Sequence, residues 1–188
     1  MPVEAVQYTT LAGPLSRMWY ARVRTGPFSL LTGYDRYDNG AGVMLIKLLS
    51  MFPVVNASGP EVDMSSLIIF INDMAMWPTA FLSDYIHCEP LDAMAARVLV
   101  TLHGKQFSAV LRFNDIGELV DFITEDRCRS VGKTSQQTKW STPLRCYREV
   151  NGLRIPTEGD AVWHLPEGEF PYIQVAIGDV KYDSFDYD

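Results

Sequence analysis

In "RMWYARVRT", residues 17–25, Trp19, Ala21 and Val23 alternate with Tyr20, Arg22 and Arg24. A period of two sends these sets to opposite faces of a strand. Gly26-Pro27 turns the chain, and "FSLLTGYDRYD" (28–38) reads as the next strand. Asn39-Gly40 then hands over to "GVMLIKLLS" (42–50), the pattern of a tight hairpin. "FPVVNAS" extends the series, with Pro53 placing it near a sheet edge or at a strand start.

The period changes after residue 60. From Met64 to about Trp77, the positions Met64, Leu67, Ile68, Ile71, Met74 and Ala75 form one apolar face at helical spacing. Asp63 is the expected N-cap and Pro78 the stop. A short helical turn is expected over Thr79 to Asp84. Ile69, Phe70 and Met76 on the remaining surface make the helix apolar nearly all round. Such a helix belongs against a sheet.

Strand patterning then resumes with "MAARVLVTLH", "KQFSAVLRF" and "GELVDFITEDRCRS", divided by Gly104 and by Asn114 to Gly117. In "FSAVLRF", Phe107, Ala109, Leu111 and Phe113 share a face, as in an antiparallel sheet with one buried side. "VGKTSQQTKW" is polar and reads as a mobile loop. "LRCYREV" and "LRIPT" flank Asn151-Gly152 as another hairpin, and "AVWHL", "FPYIQVAIG" and "DVKYDSFDY" close the chain as short strands. The sum is a mainly β, α+β domain spanning 1–188. It is a large curled antiparallel sheet, or half-barrel, of about nine or ten strands with one main helix packed on one face. No strand-helix alternation of the dinucleotide-binding kind occurs.

Composition removes several function classes. A chain of 188 residues with 47% apolar and 21% charged residues builds one substantial core. Its net charge of -7 argues against a grip on nucleic acid or an anionic membrane, both of which need a basic surface. "LIIFINDMAMW" is interrupted by Asn72 and Asp73 and is too short for an integral membrane segment. "MPVEAVQYTT" lacks the pattern of a signal segment, so the chain as it stands is expected in the cytoplasm. Cys88, Cys128 and Cys146 have no zinc or redox spacing and are expected to be buried or idle thiols. His87, His103 and His164 lack ligand spacing. Neither a metal nor a cofactor is expected.

Candidate chemistry narrows to a few side chains. No nucleophile elbow, Walker loop or zinc-protease motif is present, and "DNGAGV" reads as a hairpin turn rather than a phosphate loop. Asn72 and Asp73 have two readings, either facing an interior, where a carboxylate must be paired or protonated, or forming a polar flank near the helix end. In "TEDRCR" (124–129), strand spacing puts Glu125, Arg127 and Arg129 on one face as an ion-pair ladder. The alternative is that Arg127 binds a carboxylate or phosphate head group, or pairs with Asp73. His103 and His164 lie among apolar strand residues, where either could serve as a base. Trp19, Trp77, Trp140 and Trp163 suit packing or the lining of a ligand pocket.

"INDMAMWPTAFL", "LRFNDIGELVDFITEDR", "KWSTPLRCY", "GDAVWHLPEGEFPY" and "VKYD" together resemble an uncharacterised bacterial family, a domain of unknown function. The resemblance covers nearly the whole chain. It implies a sheet-rich fold similar to the half-barrel of periplasmic lipoprotein carriers. It also implies further residues before "AVQYTTL" in the family, so that N-terminal strands of a longer parent are expected to be missing here, with a periplasmic or membrane-attached place the alternative to the cytoplasm in that case. The leading expectation is a non-catalytic binding module that holds an apolar small molecule or lipid between sheet and helix. Its candidate contacts are Asn72, Asp73, Trp77, Arg127 and Trp163, and no catalytic residue is assigned. One alternative is a hydrolase or isomerase using Asp73 and a histidine; another is an assembly module using exposed strand edges.

Overall fold

In the computed structural model, which describes residues 3–25, 28–131 and 134–184, the described residues form fifteen β-strands and one α-helix. The strands lie in antiparallel sheets of five, two and eight strands, none closed into a barrel. The mainly β, α+β class stands as read from the sequence. The strands are more numerous because short segments such as Trp140–Ser141 pair as strands without a strand-length pattern. Among the described residues two compact units separate, with the break between Ile71 and Asn72 at the end of the helix.

The first unit holds the five-stranded sheet, built from β1 (Val3–Thr10), β2 (Ser16–Thr25), β3 (Phe28–Asp38), β4 (Ala41–Leu48) and β5 (Phe52–Ser58) in sequential order. Asn39 and Gly40 have φ of 45° and 95°, as the type I′ turn between β3 and β4 requires. The expected turn at Gly26-Pro27 lies outside the described residues. β5 is an edge strand, which accommodates Pro53.

Helix α1 (Pro60–Asn72) covers one face of this sheet. It starts at Pro60, earlier than the Met64 expected, because Pro is preorganised for a first helical turn. Asp63 is therefore inside the helix, its N–H bonded to the Gly59 carbonyl. Its carboxylate accepts the Gly42 N–H at 2.7 Å and lies 3.6 Å from Lys105 Nζ. A Cβ at Gly42 would fall 2.7 Å from the Val62 carbonyl oxygen, so glycine allows the helix this close to β4. Phe70 packs on Tyr37 with ring centroids 5.3 Å apart, and Leu67, Ile68, Phe70 and Ile71 are fully buried. Arg17, Ala21, Asp35 and Tyr37 share the covered face by register. Also in this unit, His103 Nδ1 meets the Tyr37 hydroxyl at 2.8 Å.

The helix does not run on to Trp77. Asp73–Met76 and Pro78–Leu82 form two 3₁₀ turns, the second close to the turn expected there. The second unit carries most of an eight-stranded sheet. Its strands are β6 (Ile86–Asp92), β7 (Ala95–Leu102), β8 (Lys105–Phe113), β9 (Leu119–Thr124), β12 (Trp140–Ser141), β13 (Leu144–Val150), β14 (Leu153–Leu165) and β15 (Gly168–Ala176). β14 is the hub, bordered by β13 and β12 and by β15. Val98, Val100, Phe122 and Ile155 have no exposed surface, and Phe107, Ala109 and Leu111 are buried on the face predicted for them.

Two expectations need correction. Part of the supposed loop "VGKTSQQTKW" is ordered, since Thr134–Gln137 is β11, paired with β10 (Cys128–Val131); Gly132 and Lys133 lie outside the described residues. The "DVKYDSFDY" strand does not form over its described part. That segment is held instead by Asn151 Nδ2 donating to the Val180 carbonyl and the Tyr182 hydroxyl donating to the Met76 carbonyl.

Candidate functional site

The chain leaves β9 at Thr124 and turns at once. Asp126 pins that turn, its carboxylate accepting the Ser108 N–H at 2.9 Å, while the Thr124 hydroxyl donates to the Ser108 carbonyl at 2.7 Å. Arg127 follows, and its own carbonyl accepts the Thr138 N–H at 2.9 Å. Because residues 125–127 are outside β9 and β10, the expected ladder of Glu125, Arg127 and Arg129 does not form.

The Arg127 side chain enters an aromatic enclosure instead. Trp140 on β12 and Trp163 on β14 are directly opposed in register, so their indoles stand side by side on one sheet face. The guanidinium carbon lies 4.1 Å from the Trp140 ring centroid and 5.0 Å from that of Trp163. Trp163 stacks on Tyr172 of β15 at 5.9 Å, and Arg127 Nη1 donates to the Tyr172 hydroxyl at 2.7 Å. Phe122 backs Trp140 edge-on.

Arg127 is 7% exposed, yet no carboxylate pairs with it among the described residues, and its Nε has no hydrogen-bond partner. Trp140 Nε1 is likewise buried without one. A buried charge normally has a counter-ion or a full set of hydrogen bonds. Here two indole faces and one neutral hydroxyl take that place, so the site is electropositive and short of acceptors.

Two of the five candidates, Arg127 and Trp163, are thus brought together. Arg127 does not pair with Asp73, which lies half-buried at the start of the first 3₁₀ turn. Asn72 accepts a short hydrogen bond from the Thr142 hydroxyl just beyond β12. Trp77 keeps its indole N–H buried and unpartnered, and the rings over which the Arg127 guanidinium lies are those of Trp140 and Trp163. Sequence reasoning did not single out Tyr172, although Pro171 inside a strand is a signal of irregular pairing there. The register does shift at that point, between Ala161 and Val162 of β14.

A Ser-His-Glu series runs across the same sheet. Ser141 Oγ lies 2.8 Å from His164 Nε2, and His164 Nδ1 lies 3.5 Å from Glu169. Its order of exposure opposes acyl transfer: Ser141 is 2% exposed, whereas the Glu169 side chain is 73% exposed. A nucleophile must meet substrate, so this series acts as a tether across β12, β14 and β15.

Asp121 on β9 was not anticipated. Burial pushes its carboxyl from 3.8 up to about 6, against the lowering pull of the Phe122 and Thr142 backbone amides and of Arg112 and Lys139. Its Oδ1 remains buried and unpartnered. Between pH 4 and 6 the folded state retains a proton that the unfolded chain has released, so this group lowers stability as pH rises, fully so above 6. Asp121→Asn is expected to gain about 1 kcal/mol at pH 8, with solvent screening allowed for, and nothing at pH 3.5. Urea unfolding at the two values checks it, and an equal change at both would refute the assignment.

Surface hollows among the described residues include one of about 370 Å³ beside Cys88, Pro90 and Phe113 and one of about 200 Å³ beside Tyr20, Tyr34 and Lys47. Neither is lined by α1. The three cysteines are free thiols, Cys88 and Cys146 exposed and Cys128 half-buried. Among the described residues no cluster of His, Cys, Asp or Glu is placed to hold a metal ion, and no helix is long and apolar enough to cross a membrane.

No curated protein and no solved structure matches the chain. A family model does, over residues 1–175. On that match, the chain belongs to the family described as "Family of unknown function (DUF6544)".

Proposed function

We propose that this protein is a non-catalytic binding module for a lipid-like molecule with an anionic head, and that the head engages Arg127. The observation that carries this reading is the buried guanidinium that has aromatic faces and no acid partner. Guanidinium has five N–H donors in a planar fork that matches a carboxylate or phosphate. A ligand oxygen would supply the acceptors that Arg127 lacks.

The apolar body has a path beside it. Trp163 opposes Phe170, Ala161 opposes Ile173 and Gly159 opposes Val175, so these β15 side chains share the Trp163 face. Phe170, Ile173 and Val175 are 53%, 40% and 47% exposed, an unusual run of large apolar groups on one strand. The ligand body lies along β15 in this proposal rather than beneath α1, whose inward residues are fully buried.

The test is titration with a long-chain fatty acid, the matching alkyl phosphate and the matching fatty alcohol, read by tryptophan fluorescence. The anionic ligands are expected to bind, and Arg127→Met to weaken them about ten- to a hundredfold, the loss of a charged hydrogen bond. Comparing acid with phosphate identifies the head group. Equal binding of the alcohol, or an Arg127→Met protein that binds as tightly as wild type, would reject the proposal. Native mass spectrometry with organic extraction gives an independent check for a co-purified ligand.

A further inference from the structure

We infer that Tyr172 is a built-in plug of the Arg127 site, its hydroxyl oxygen standing where a ligand's anionic oxygen would bind. The inference rests on the anionic-ligand reading above. Arg127 Nη1 donates to this hydroxyl at 2.7 Å, and no other side-chain acceptor is bound to the guanidinium among the described residues. A neutral phenolic oxygen is a weaker acceptor for guanidinium than a carboxylate or phosphate oxygen. It therefore satisfies one donor when the site is empty and yields to a charged competitor.

The local fold lets the plug move. β15 is an edge strand, and every described position on it except Tyr172 is exposed, so little buried surface holds it down. Pro171 opposes Val162 and Ile173 opposes Ala161, which leaves Tyr172 as the extra residue of a β-bulge. A bulged residue has no ladder partner and can reorient without breaking neighbouring pairs. The ring stacks on Trp163, so leaving the site also bares the indole face beside the guanidinium.

Tyr172→Phe removes the competing oxygen and keeps the stacking ring. It is expected to bind the fatty acid about tenfold more tightly than wild type, because the ligand no longer displaces a hydrogen bond to a charged group. The tightening should be confined to the anionic ligands. If wild type binds and Tyr172→Phe binds no tighter, or if the fatty alcohol tightens equally, the plug is wrong while the binding module survives. If neither protein binds any anionic probe, both fail. A native near-ultraviolet spectrum of the variant establishes that it is folded.

Discussion

Asp35→Ala is expected to cost about 3–5 kcal/mol in urea unfolding, the loss typical of a buried ion pair deprived of one partner. Asp35 Oδ2 lies 2.8 Å from Arg17 Nη1, and both side chains are at least nine-tenths buried. The two are diagonal neighbours on β2 and β3, since Arg17 opposes Tyr37 while Asp35 opposes Trp19. Both lie on the sheet face that α1 covers. Removing the carboxylate leaves the guanidinium charge in a setting that water reaches poorly. By contrast, Arg145, which pairs with Glu158 and Asp160, is exposed, and breaking those pairs should change stability far less. The double replacement Arg17→Met with Asp35→Leu should recover most of the loss, because desolvation of both charges disappears. A cost below about 1 kcal/mol for the single variant would mean that water enters this face.

The same contrast between local and distant determinants explains what could be read from the chain. Asn39-Gly40 and Asn151-Gly152 were legible as hairpins because positive φ at both residues is a property of the dipeptide itself, and all four residues adopt it. Leu67, Ile68 and Ile71 were legible as core from spacing alone. The helix start was not, because Asp63 matches a capping residue in type but serves β4 instead, through Gly42. The helix end was misread for a similar reason: Asn72 is held by Thr142, far along the chain. Arg127 and Trp163 were each picked out by residue type, but nothing local could reveal their contact. That depends on the register of β12 against β14, and Trp140 occupies a strand of two residues with no periodicity to detect. Tyr172 meets Arg127 across 45 positions of sequence, at a register shift that only the folded sheet defines.

Phe122→Ala is expected to destabilise the protein by about 3–5 kcal/mol, the range for deleting a fully buried aromatic ring. Phe122 has no exposed surface, and its ring meets Trp140 edge-on at 6.3 Å and 71°, an arrangement that adds to simple burial. The consequence extends to the site, because Trp140 is the platform on which the Arg127 guanidinium rests. A cavity behind that indole lets it tilt, so Trp140 should lose order before the sheet unfolds. Tryptophan fluorescence should then fall ahead of the loss of β-structure by circular dichroism in a urea series, whereas wild type should show one coincident transition. Phe122→Leu, which refills most of the volume, should cost about 1–1.5 kcal/mol and restore coincidence. Phe170→Ala on exposed β15 should change stability by no more than about 0.5 kcal/mol. If Phe122→Ala and Phe170→Ala proved equally mild, Phe122 would not be the support that holds the Arg127 enclosure in place.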